Sequence, residues 1–205
     1  MTLYDIKPQF QTLLRPIVAR LASKGVTANQ VTLTAACGSL LTGFVLSLMA
    51  DKTILFLLLP VWMFIRMALN AIDGMLAREF NQQSDLGAYL NEVCDVVADA
   101  ALFIPFAFVL PFDALSIFLL IFLATLSEFV GVLGQSIGAS RRYDGPLGKS
   151  DRALVFGTLA LFLAVAGTIP AWLYWLMPLL SVLLALTVVN RIRCALAEKQ
   201  QNNKA

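Results

Sequence analysis

The chain has 205 residues, 59% of them hydrophobic and 14% charged, with mean hydropathy +0.79 and formal net charge +2. Soluble domains lie nearer about 45–50% apolar, so the composition excludes an ordinary soluble domain and points to one integral membrane domain. There is no histidine, and Cys37, Cys94 and Cys194 are scattered, which excludes a usual zinc site and a His-based triad.

Residues 1–25 read as an amphipathic helix. Tyr4, Ile6, Phe10, Leu13, Leu14, Ile17 and Leu21 form an apolar stripe, and Lys7, Arg15, Arg20 and Lys24 supply the charge. Such a helix suits the membrane interface. It has no apolar core followed by a small-residue cleavage site, so no cleavable signal is expected. Residues 26–205 form the transmembrane domain. A span needs about 20 mostly apolar residues. Six segments qualify, at about 31–50, 53–79, 85–110, 114–138, 151–169 and 171–194. The expected fold is all-α and polytopic, with six transmembrane helices after the interfacial one.

Positive charge sets orientation. Lys7, Arg15, Arg20, Lys24, Arg78, Arg141, Arg142, Lys149, Arg152, Arg191, Arg193, Lys199 and Lys204 fall on one side, and Lys52 alone on the other. Both termini are therefore expected in the cytoplasm of a bacterium, with Trp172, Tyr174 and Trp175 at the far interface. No internal repeat is visible, and polar residues gather at the cytoplasmic end only. Both observations count against a transporter or channel. Nothing points to a nucleic-acid partner.

The second and third segments carry the informative stretch. Asn70, Asp73-Gly74-x-x-Ala77-Arg78 and Gly87-x-x-x-Asn91-x-x-x-Asp95 recur at three- and four-residue steps. Residues at such steps share one helix face, and ionisable groups inside a membrane usually mark a site. Without histidine, the candidate ligands are oxygens, which suit magnesium, manganese or calcium. Pairing the two segments as a hairpin about residue 82 places Asp73 near Asn91, Asn70 near Asp95 and Arg66 near Asp99. An Arg66–Asp99 ion pair is expected, because an intramembrane arginine needs a partner. Glu92 and Glu128 are further intramembrane acids.

This stretch resembles the signature of the CDP-alcohol phosphatidyltransferase family, Asp-x-x-Asp-Gly-x-x-Ala-Arg followed by Gly-x-x-x-Asp-x-x-x-Asp. Asp73, Gly74, Ala77, Arg78, Gly87 and Asp95 match, whereas Asn70 and Asn91 stand where the family has aspartates. The likeness extends to Val26–Thr32, which resembles the family's approach to its first span. It is greatest for inner-membrane members from enteric bacteria. The resemblance implies a transfer of a substituted phosphate group from a CDP-alcohol, above all CDP-diacylglycerol, to a polar acceptor alcohol, with release of CMP in phospholipid synthesis. It implies Asp73, Asp95, Asn70 and Asn91 as ligands of one or two Mg or Mn ions, with Asp95 also the catalytic base. It implies a CDP site of Thr27, Asn29, Thr32, Asp73, Gly74, Ala77, Arg78 and Gly87, and membrane lipids and a second copy of the chain as further partners.

Two asparagines for two aspartates remove two charges, and three readings follow. A single metal remains. Or Glu92 or Asp99 supplies a missing carboxylate. Or the site binds CDP-lipid as a sensor or scaffold and turns over poorly. The basic run from Ala139 to Arg152 contains Arg141, Arg142, Lys149 and Arg152. Together with Arg191 these are candidates for binding the acceptor, phosphorylated or not; the plainer reading is contact with anionic lipid.

Overall fold

The computed structural model describes residues 3–203, which are all-helical, with no strand among the described residues. The helices are α1 (Leu3–Ser23), α2 (Ala28–Leu48), α3 (Leu58–Glu79), α4 (Asp85–Phe103), α5 (Ala114–Leu133), α6 (Lys149–Ala166) and α7 (Leu176–Asn202). Short 3-10 turns at Thr53–Leu57, Ile104–Phe108, Gly134–Ile137 and Ala171–Trp175 lengthen the rods that they adjoin. The side chains of Tyr4, Ile6 and Lys7, and Lys204 altogether, lie outside the described residues.

Among the described residues, four stretches are long and apolar enough to cross a membrane: Ala28–Leu48, Thr53–Glu79, Ala114–Ile137 and Ala171–Asn202. The other two expected spans are α4 and α6. Both form at the expected places, but α4 carries Asp85, Glu92, Asp95 and Asp99, and α6 carries Lys149, Asp151 and Arg152. Their charge, not their length, sets them apart.

Local chemistry fixes the helix starts. Thr27 and Gln30 form a capping box: Gln30 N–H donates to Thr27 Oγ1 at 3.3 Å, and Thr27 N–H to Gln30 Oε1 at 3.0 Å. This starts α2 at Ala28, ahead of the expected 31. Ser84 Oγ accepts from Gly87 N–H at 3.0 Å and caps α4. Asp113 accepts from Ser116 N–H at 2.9 Å and caps α5, which holds the Asp113 carboxyl below the usual carboxylate range.

α1 does more than present an apolar stripe. Leu14 and Val18 are buried against Ile72, Met75 and Leu76 of the motif helix α3 and against Ala28 and Val31 of α2. Phe10 meets Phe64 edge-on, with ring centroids 6.3 Å apart. Leu13 and Ile17, expected in the same stripe, stay exposed. The docked face follows Phe10, Leu14, Val18 and Leu21, and Val18 was outside the expected set. The larger core lies at the other end of the molecule. There Phe103 stacks on Phe156 at 3.9 Å, and Phe106 packs edge-on against both Phe56 and Phe156.

α2 and α4 touch backbone to backbone. A Cβ at Gly43 would lie 2.0 Å from the Ala101 carbonyl oxygen, so only a glycine permits this approach. Gly43→Val is expected to destabilise the fold by about 3 kcal/mol, read as a lowered unfolding midpoint in detergent. An unchanged midpoint would mean that the helices are not this close.

Candidate functional site

α3 and α4 run as the expected hairpin, joined by a turn in which Asn81 adopts φ 54°. Two of the three expected pairings are direct contacts. Asn70 Nδ2 donates to Asp95 Oδ1 at 3.3 Å, and Arg66 Nη1 donates to Asp99 Oδ1 at 2.6 Å. The third pair, Asp73 and Asn91, shares the wall of one open cavity of about 1000 Å³.

That cavity gathers most of the expected CDP site. Asn29, Thr32, Asp73, Gly74, Ala77, Arg78, Gly87 and Asn91 line it. Thr32 Oγ1 lies 2.8 Å from Asp73 Oδ2, which sets the carboxylate's rotamer. A Cβ on Gly87 would sit 2.9 Å from Asn29 Oδ1, so this glycine admits the start of α2. Gln82 ties the hairpin turn to the same helix start: Ala28 N–H donates to its Oε1 at 2.7 Å. Thr27 is not in the wall, because its hydroxyl is spent on the capping box. Sequence reasoning missed Gln82, Gln83 and Ser84 as wall residues; turn polarity was the only signal they gave. Tyr89, Val93, Val97 and Phe129 make an apolar, exposed lane along the cavity between α4 and α5.

Asp95 and Asn70 do not line this cavity. Asp95 is pinned behind its wall: Arg66 Nη2 donates to Oδ1 at 3.1 Å, and Lys149 Nζ forms an ion pair with Oδ2. Neither acid proposed as a substitute carboxylate is free. Asp99 is buried between Arg66 and Arg152, the latter at 3.1 Å. Glu92 lines the cavity but pairs with Arg141.

The expected acceptor cations split. Arg141 lines the cavity, and its guanidinium lies 3.6 Å from Glu128 Oε2. Arg152 and Arg191, each 1% exposed, converge on Glu128 at 3.0 and 3.4 Å. Arg142 instead grips Asp144 with two bonds of 2.8 and 2.9 Å and Glu198 at 2.5 Å, away from the cavity. That grip holds the Asp144 carboxyl below the usual carboxylate range. Arg142 therefore fastens the loop between α5 and α6 and is not placed to bind an acceptor. Sequence reasoning saw five cations near a phosphate; the structure gives each of them a carboxylate partner.

Comparison with known proteins places these features in context. The sequence model of the CDP-alcohol phosphatidyltransferase family matches residues 25–189. The chain is 53% identical over 199 residues to the Escherichia coli inner membrane protein YnbA, covering 96% of this chain and 97% of that protein. It is 30% identical over 103 residues to the archaetidylinositol phosphate synthase of Pyrococcus horikoshii, about half of each chain (49% and 50%). Two crystal structures of Mycobacterium tuberculosis phosphatidylinositol phosphate synthase share the fold. The one with CDP-DAG bound has TM-score 0.73 and 22% identity over 88% of this chain and 92% of that one. The one with manganese and citrate has TM-score 0.72 and 20% identity over 88% and 87%.

The buried ion pairs and the surface ones should respond differently to mutation. Asp99→Ala leaves Arg66 without its closest acceptor and Arg152 with Glu128 alone, and is expected to cost about 3 kcal/mol or more. Arg15→Ala removes only the exposed 3.2 Å pair with Glu79 and is expected to change stability by less than about 0.5 kcal/mol. Denaturation of both variants, side by side, checks the contrast.

Proposed function

The chain belongs to the CDP-alcohol phosphatidyltransferase family, and we propose that it is a phosphatidyl-transferring enzyme of a bacterial inner membrane. Its donor is a CDP-alcohol, best fitted by CDP-diacylglycerol, and its acceptor is a polar alcohol. The observation that carries this reading is the shared cavity. One wall is built from the family's motif residues, and the exposed apolar lane of Tyr89, Val93, Val97 and Phe129 adjoins it. A ligand with a nucleotide at one end and acyl chains at the other needs both surfaces at once. The relative YnbA is named an inner membrane protein, which supports the location. The excess of Lys and Arg at the motif end supports a topology of six spans, α1 at the interface, and both termini and the cavity mouth in the cytoplasm.

In the proposed reaction the acceptor hydroxyl attacks the phosphorus that bears the diacylglycerol. The bond from that phosphorus to the CMP oxygen breaks, CMP leaves, and the hydroxyl proton passes to a base. Asp95 is the proposed base: Arg66 and Asn70 hold its Oδ1, and its Oδ2, which pairs with Lys149 behind the cavity wall, would have to turn to the cavity to take the proton. Gly74 leaves room on the α3 face for the Arg78 guanidinium, whose nitrogens lie 3.2 Å from where a Cβ would stand, so a diphosphate can meet that cation close to the backbone. Arg78 is exposed at the cavity rim, free to pair with it. Asn29 and Thr32 take the nucleoside side. Arg141, with Lys149 behind it, faces the acceptor side. A divalent ion, when bound, neutralises charge on the transferring phosphate. The Asp73 carboxylate and the Asn91 amide oxygen, both on the cavity wall, fit one such ion, Mg or Mn. The manganese in the M. tuberculosis structure supports a divalent cofactor.

A second reading is a binding protein that holds CDP-lipid without turnover. It is favoured by one observation, the full engagement of Asp95 by Arg66, Asn70 and Lys149. Incubation of the purified protein with CDP-diacylglycerol, Mg or Mn and a panel of alcohols separates the two. Metal-dependent CMP release is expected, falling by about 100-fold or more in Asp95→Asn, the usual scale for a lost general base. Retained CDP-lipid binding without CMP release, and release restored by Asn70→Asp/Asn91→Asp, would replace the enzyme with the binder.

A further inference from the structure

Among the described residues no group of three or more Asp, Glu, His or Cys side chains is placed to hold a metal ion. The motif face shows why. Asn70 and Asn91 are neutral, and only Asp73 and Asp95 carry charge. Both oxygens of Asp95 already have donors from the chain: Oδ1 takes Asn70 at 3.3 Å and Arg66 at 3.1 Å, and Oδ2 takes the Lys149 ammonium. Two divalent ions would bring four positive charges to two carboxylates, one of them already flanked by two cations. Hard cations need anionic or carbonyl oxygens that are free to coordinate.

We propose that Lys149 is a built-in cation, its ammonium filling at Asp95 the place that a second divalent ion would take. The site then holds a single divalent ion, on the Asp73 side. This rests on the donor-site reading above.

The surroundings suit the role. Lys149 is the first residue of α6, so its backbone is held by the helix start, where Gly148 N–H donates to the Asp151 carboxylate at 2.8 Å. One turn on, Arg152 is locked to Asp99 and Glu128, which fixes the rotation of α6 and aims Lys149 at Asp95. The Lys149 side chain is still 34% exposed, so a substrate phosphate can reach it. A lysine in this place is a point charge that needs no ligand cage, which explains how the motif tolerates two amides.

The test is manganese stoichiometry, read by electron paramagnetic resonance on the full chain in lipid nanodiscs, with CDP binding measured calorimetrically on the same samples. The wild type is expected to bind a single Mn²⁺. Lys149→Gln/Asn70→Asp, which removes the ammonium and puts a carboxylate beside Asp95 in place of the amide that now touches it, is expected to gain a second, with affinity raised by about tenfold or more over any weak second binding in the wild type. Lys149→Arg/Asn70→Asp keeps the positive charge and is expected to stay at one, which separates charge from packing. Two equivalent Mn²⁺ in the wild type, or equal stoichiometry in the Gln and Arg variants, overturns the proposal. CDP binding that persists in those cases leaves the donor site standing; its absence with and without Mn²⁺ removes the donor reading itself.

Discussion

Three buried arginines and two buried acids, each from a different helix, hold the molecule together. Arg66 of α3 bonds Asp99 of α4, Asp99 bonds Arg152 of α6, Arg152 bonds Glu128 of α5, and Glu128 pairs with Arg191 of α7. A charge left alone in such an interior is strongly unfavourable, and only a complete set of partners makes it tolerable. The alternation of sign along the chain of contacts therefore fixes how each helix is rotated about its axis. Asp73 and Asn91 face the cavity because Arg66 and Asp99, on the same two helices, must face each other.

The same alternation runs short of acceptors. Arg152 leaves Nε and Nη1 without hydrogen-bond partners although it is almost wholly buried. Arg141 reaches outward to Glu92 and Glu128, adding positive charge on the cavity side. The cavity wall itself mixes both signs, with Arg78 and Arg141 beside Asp73, Glu92 and Glu128. Arg141 is matched by Glu92 and Glu128, so Arg78 is the cation of the wall for which no carboxylate partner is seen among the described residues.

Much of this was legible from residue spacing. The hairpin register followed from counting outward from residue 82, and the pairs Asn70–Asp95 and Arg66–Asp99 fell where the count put them. Apolar runs also located the helices to within a few residues, except at the end of the last, which runs on to Asn202 where 194 was expected. What spacing could not give was competition for a side chain. Thr27 looked like a wall residue until its hydroxyl was found closing a helix start. Arg142 looked like an anion ligand until Asp144, two residues on, and Glu198, from the end of α7, claimed it. The engagement of Asp95 by Lys149 joins residues more than fifty positions apart, and no local pattern announces it. On α1, the apolar stripe was read as facing lipid, whereas part of that face docks on the motif helix and only the rest is exposed.

α4 and α6 carry a consequence for how the protein is made. Each is too charged to partition into hydrocarbon by itself, yet each sits among apolar neighbours with its charges matched by theirs. In the proposed six-span topology each of them follows its neutralising neighbour in the chain, α4 after α3 and α6 after α5. The earlier helix of each pair would then have to stay near the point of insertion until the charged one arrives, so insertion would proceed in hairpins, and a chain cut between partners would leave Arg66 or Glu128 short of its neutralising charge.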